Sequence, residues 1–128
     1  MERLHAPVLS SDAVRALLAD DPTDQSIHNS VFSALRYLLR QRLAIRRPVT
    51  YIDATNLTPK ERRPYILIGE RSNCAVEALY FDVPLAVCLK RNLRRARPVP
   101  EEAVRKMAAK LKPPTLEEGF SRITVVRA

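Results

Sequence analysis

The sequence predicts an α/β fold with a mainly parallel sheet covered by helices on both faces. The first observation behind this is order: short β-rich apolar runs alternate with stretches of helical periodicity. The second is size, since 128 residues suffice for one domain with a core of its own. The third is composition, 46% hydrophobic and 28% charged, the profile of a folded soluble chain. A single domain over residues 1–128 is therefore expected.

Val8-Leu9 reads as the end of a short buried strand, and Ser10-Ser11-Asp12 as the turn into a helix. That helix places Val14, Leu17 and Leu18 on one face and stops at Ala19-Asp20-Asp21-Pro22. A second helix runs from about Ser26 to Ala44, because Ile27, Val31, Leu35, Leu38, Leu39 and Leu43 recur at three- and four-residue spacing. Arg36, Arg40 and Arg42 are left for its outer side. Val49 to Ile52 follows a proline and is rich in β-formers, so it reads as a strand running into Asp53-Ala54-Thr55-Asn56.

Thr58-Pro59-Lys60-Glu61 supplies a capping box with proline at the first helical position, and the helix it starts reaches roughly Ser72. Val76 to Phe81 is the next strand. Asp82-Val83-Pro84 turns into a helix ending near Arg95. Pro100-Glu101-Glu102 opens another, with acids in the first turn where the helix dipole favours them, and it runs to Leu111. Ile123 to Val126 is the last strand.

The net charge of +8 is unevenly spread. Residues 84–112 hold nine Lys/Arg against two Glu, and residues 36–47 hold five Arg and no acid, so the rest of the chain is net negative. Localised cations argue for a phosphate-bearing partner. Only 5% of residues are aromatic, which leaves little for stacking single-stranded bases. Cys74 and Cys88 form no CxxC, so a metal site or disulfide framework is not expected and a reducing cytoplasm fits. The opening Met1-Glu2-Arg3-Leu4-His5 is not an apolar signal segment, and no apolar run is long enough to span a bilayer.

In open parallel sheets, ligands sit outside the carboxyl ends of the strands. Asp12, Asp53 and Asp82 each follow a predicted strand, so at least two can face one crevice. The densest cationic run is Lys90-Arg91-Asn92-Leu93-Arg94-Arg95-Ala96-Arg97. On a helix Arg91 and Arg95 stack one turn apart, and two guanidinium forks so placed suit neighbouring phosphates. The plainer readings are a solvated basic helix end, a helix-start acid at Asp12 and a polar turn at Asp53 and Asn56.

Taken together, several pieces resemble the P-loop kinase domain of bacterial polynucleotide kinases and the related zeta-toxin-like, stand-alone AAA-family ATPase kinases. They are Val8-Leu9-Ser10-Ser11-Asp12 with Arg15, Tyr51-Ile52-Asp53-Ala54-Thr55-Asn56-Leu57 with Arg62-Arg63, and Asp82-Val83-Pro84-Leu85. They continue through Cys88-Leu89-Lys90-Arg91-Asn92, Arg95, Arg97 and Val99-Pro100 to Pro113-Pro114-Thr115 and Glu118-Gly119-Phe120. Each is weak alone; the ordered set is specific.

The resemblance implies a P-loop NTPase-like three-layer α/β/α fold, ATP and Mg2+ as cofactors, and a 5′-hydroxyl RNA or DNA end as the acceptor. Asp12 would be the general base, and Arg91 and Arg95 the lid arginines that neutralise charge on the transferred group. Arg15, Asn56 and Arg97 would bind the substrate, and a basic lid helix–turn at about 84–112 would carry Arg91, Arg95 and Arg97. Asp53 would hold a magnesium-bound water. Two other functions stay open: a non-catalytic nucleic-acid-binding pseudokinase, and a kinase of a small-molecule hydroxyl.

One motif of that family is missing. A Walker A loop needs G-x-x-x-x-G-K-S/T, whereas this chain has two glycines, Gly69 and Gly119, neither before Lys-Ser or Lys-Thr. Met1 to Leu4 aligns within the helix that follows that loop, so roughly twenty residues comprising the central strand and the loop are expected to be lacking. An internal start and a lost nucleotide-binding end both account for this. The expected consequences are doubtful ATP binding, inactivity of residues 1–128 and, because the incomplete sheet leaves strands without partners, marginal stability, self-association or a rearranged sheet.

Overall fold

The computed structural model describes residues 7–95 and 98–127. The helix expected at Met1–Leu4 and the expected substrate-binding Arg97 lie outside them. The chain separates into two compact units, Met1–Thr55 and Asn56–Ala128.

In the first unit β1 (Val8–Ser10) pairs in parallel with β2 (Tyr51–Asp53), in the register Val8↔Tyr51, Leu9↔Ile52, Ser10↔Asp53. Between them run α1 (Ser11–Ala19) and α2 (His28–Ala44). Helix α2 buries Val31, Leu35 and Leu39 at four-residue spacing, and Val31 and Leu35 join Val14 in the core cluster. Leu9, Ile27, Phe32 and Ala34 pack against it. Each such fully buried side chain contributes about 1.5–3 kcal/mol.

Two expectations fail in this unit. The inward stripe of α1 is Ser11, Val14 and Arg15, while Leu17 and Leu18 are 82% and 53% exposed. Apolar periodicity alone cannot show that an arginine occupies the buried stripe. Nor does Arg42 point outward: its Nε donates to Thr50 Oγ1 at 2.8 Å and its Nη2 to the Val49 carbonyl at 3.0 Å. These bonds engage the residues expected to open the strand, and β2 starts two residues later, at Tyr51.

The second unit holds α3 (Pro59–Arg71), β3 (Glu77–Asp82), α4 (Leu85–Leu93), α5 (Glu101–Lys110), a 3-10 turn (Leu116–Glu118) and β4 (Arg122–Arg127). Strands β3 and β4 are parallel over six pairs, from Glu77↔Arg122 to Asp82↔Arg127. Asp82 thus ends the strand itself and meets Arg127 Nε at 3.5 Å. Helix α3 starts as its sequence requires, with Thr58 Oγ1 accepting from the Glu61 N–H and Pro59 in the first turn. It buries Arg62, Tyr65, Ile66, Ile68 and Gly69.

The α/β character and the parallel pairing agree with the sequence. The strands nevertheless form two two-stranded sheets rather than one. Leu79 and Phe81 on β3 and Val125 and Val126 on β4 stay exposed, contrary to the expectation of strands buried on both faces.

Candidate functional site

Residues Ser10, Ser11, Asp12, Asp53, Ala54 and Thr55 line a cavity of about 190 Å³ in the first unit. The local sequence builds it. Parallel pairing brings the ends of β1 and β2 side by side, with Ser10 opposite Asp53. Ser10 then caps α1, its hydroxyl accepting from the Ala13 N–H at 3.3 Å. Asp12 falls in the first turn, where unpaired backbone N–H groups favour its negative charge. Two of the three strand-end acids therefore share one crevice.

Asp12 keeps 71% of its side chain exposed, available to an incoming group, and one of its oxygens lies 3.4 Å from Arg15 Nη1. Arg15 is only 5% exposed, and its Nε has no hydrogen-bond partner among the described residues. A buried guanidinium so lightly engaged keeps most of its capacity to attract an anion. The site thus joins an accessible carboxylate able to accept a proton, a second carboxylate and a cation behind the first.

In the second unit Arg91 lies in the last turn of α4, while Arg95 is beyond its end, because the helix ends at Leu93 and not near Arg95. The N–H groups of Arg94 and Arg95 bond three residues back, to Arg91 and Asn92. The physical reason is Asn92: its buried amide donates to the Val99 carbonyl and accepts from the Val99 N–H at 2.9 Å, turning the chain away from the helix axis. Arg91, Arg94 and Arg95 are exposed. Cations farther along are engaged: Arg105 with Glu101, Lys106 with Glu102 and Lys110 with Glu61. Among the described residues of this segment, Lys90, Arg91, Arg94, Arg95 and Lys112 make no ion pair, and four of these five cluster at the end of α4.

Asn56 adopts a left-handed backbone, φ +44°, and is half-buried. Its carbonyl accepts from Arg62 Nη1 at 3.0 Å. Arg62 also reaches the Lys112 carbonyl at 2.8 Å and forks onto Glu118, Nε–Oε1 at 2.8 Å and Nη2–Oε2 at 3.0 Å. The Arg62 guanidinium holds the Glu118 carboxyl below its ordinary range, helped by the Thr115 N–H and opposed by burial. Burial pulls Glu61 upward, yet Lys110 and the Leu57 N–H together hold it low. Sequence reasoning assigned Arg62 no role. The signal was present: Arg62 shares a stripe with Ile66 and Gly69, and an arginine there requires a buried carboxylate.

The two implied cofactors fare differently. Glycine 69 is inside α3, where a Cβ would collide with Val76, and Gly119 turns at φ +121° against Ile66. Both glycines serve packing, and no described strand-to-helix turn offers a Gly-Lys phosphate cradle, so these residues do not fit ATP. Magnesium differs: Asp12, Asp53 and the neighbouring serine hydroxyls are an all-oxygen set that suits it, with Asp53 able to hold its water. No cluster of three or more His, Cys, Asp or Glu able to hold a metal occurs among the described residues, and no described helix is long and apolar enough to cross a membrane.

The sequence profile of an AAA domain family matches residues 1–114. No curated protein matches the chain.

Proposed function

The chain belongs to the AAA domain family, of the P-loop NTPase-like kinase kind, and on that footing we propose that it is the acceptor-binding part of an ATP-dependent phosphotransferase acting on a polynucleotide 5′-hydroxyl. The observation that carries this reading is the cavity at the ends of β1 and β2, which exposed Asp12 and Asp53 both line, with the buried cation of Arg15 3.4 Å from Asp12. Asp12 takes the proton from the attacking hydroxyl. Arg15 holds a phosphate of the acceptor strand, and Asp53 would hold a magnesium ion through a water. When bound, that ion supplies charge to the phosphoryl oxygens. Lys90, Arg91 and Arg95 add cationic surface for the polynucleotide backbone.

Both glycines are committed to packing, so the described residues offer no glycine-rich cradle for ATP. The same observation favours a second reading, a pseudokinase that grips nucleic acid without turning it over.

The test is binding and labelling with residues 1–128. A 5′-hydroxyl oligonucleotide binds in a salt-dependent manner, Asp12→Asn retains binding, and Arg15→Ala weakens it. No label passes from ATP in either protein. Absence of oligonucleotide binding at low salt would sink both readings, whereas labelling abolished by Asp12→Asn would overturn the claim of inactivity.

A further inference from the structure

We propose that Arg62 is a positioning residue: together with Glu118 it locks the backbone of Asn56, so that the Asn56 side chain is presented to the polynucleotide from a fixed Cα–Cβ direction. This rests on the nucleic-acid reading above. One peptide group, the one joining Asn56 to Leu57, is held at both ends. Its carbonyl accepts from Arg62 Nη1 at 3.0 Å, and its N–H donates to Glu61 Oε2 at 3.0 Å. The next carbonyl, that of Leu57, accepts from the Lys112 N–H at 2.8 Å. A peptide plane gripped at both poles fixes the backbone torsion that aims the Asn56 side chain.

The grips are themselves anchored. Arg62 and Glu118 keep only 7% and 11% of their side chains exposed and are joined by two parallel bonds. Glu118 also accepts from the Thr115 N–H at 2.9 Å. Burying an ion pair rarely adds net stability over apolar residues of the same volume; what it adds is defined geometry. Here that geometry converges on a residue at φ +44°. The side-chain amide of Asn56 makes no hydrogen bond among the described residues.

A fixed backbone carrying an unengaged amide is the arrangement that lowers the ordering cost of binding. A carboxamide has both donors and an acceptor, which matches base edges and sugar hydroxyls. The competing explanation is local: asparagine tolerates the left-handed region better than most residues. Glycine tolerates it better still, and that separates the two.

Affinity for a 5′-hydroxyl oligonucleotide is measured by fluorescence anisotropy at fixed low salt, beside the thermal midpoint. Asn56→Gly retains the midpoint and weakens binding about five- to tenfold, the worth of one lost hydrogen bond. Glu118→Gln keeps the shape but loosens Arg62, and weakens binding in the parent chain but not in the Asn56→Gly background. Wild-type affinity in Asn56→Gly overturns the proposal. So does an undiminished Glu118→Gln effect in that background, which marks a purely structural role. Where Glu118→Gln fails to fold, Arg62→Lys takes its place in the cycle, and Asn56→Gly decides without either. If the parent chain binds no oligonucleotide, the nucleic-acid reading falls and this proposal falls with it; if it binds and only the Asn56 and Glu118 results fail, that reading stands.

Discussion

Arg62 and Glu118, 56 positions apart in the chain, are joined by two parallel N–H···O bonds of 2.8 and 3.0 Å, with little of either side chain exposed. Because Arg62 lowers the Glu118 pKa in the folded chain, folding favours the ionised carboxylate. The stabilisation is fully present above the ordinary glutamate value of 4.5 and is lost as pH falls through the lowered native value. Glu61 acts in the same direction. A thermal scan therefore shows a flat midpoint above about pH 5.5 and a fall below it, and Glu118→Gln makes that acid fall shallower without abolishing it. An unchanged profile in Glu118→Gln would contradict the assignment.

The core and the surface of the first unit should respond oppositely to the same change. Leu35 has no exposed surface, so Leu35→Ala costs about 2–5 kcal/mol through lost burial and the cavity left behind. Leu17, on the helix face that sequence periodicity assigns to the interior, is 82% exposed, and Leu17→Ala changes stability by less than about 0.5 kcal/mol. Urea denaturation of both variants checks the orientation of α1. Equal losses would mean that α1 is rotated.

Gly119 meets two constraints at once. Its φ of +121° lies where side chains are strained, and an added Cβ would sit 2.7 Å from Cγ2 of Ile66 and 3.2 Å from Oε1 of Glu70. The Glu70 carboxylate can swing aside, but Ile66 is 1% exposed and has nowhere to go. Gly119→Ala is expected to destabilise by about 1–3 kcal/mol, read as a lowered urea midpoint. A stability equal to the parent's would count against this turn.

Arg91 and Arg95 are exposed, and under the proposed nucleic-acid function their charge is expected to add to binding through counterion release. Replacing either with alanine lowers the slope of log affinity against log salt by about 0.7 for single strands. Arg105→Ala, which loses a cation already paired with Glu101, changes the slope less. The titration compares all three at equal protein stability.

Much of this architecture is legible in the sequence where local chemistry decides it. Thr58, Pro59 and Glu61 announce the start of α3, and the helix begins there. The spacing of Val31, Leu35 and Leu39 marks the buried stripe of α2. Asp12 and Asp53 are found at one cavity because strand ends and parallel pairing are both readable from pattern. What pattern cannot reveal is the placement of arginines. Arg15 and Arg62 occupy core stripes and Arg42 reaches Thr50, since a guanidinium buries its stem readily once acceptors wait at its end. Those acceptors are eight positions away for Arg42 and 50 or more for two of the partners of Arg62, beyond any local window. The end of α4 depends likewise on Asn92 finding the backbone of Val99 seven residues on.

The dehydrated position of Arg15 has a chemical consequence of its own. An ammonium group shut away from water tends to shed its proton, so lysine there would make the neighbourhood of Asp12 alternate between charged and neutral with acidity. A guanidinium does not surrender its proton under any physiological condition. Asp12 therefore has a permanent positive neighbour, a fixed bias that cellular pH swings cannot erase.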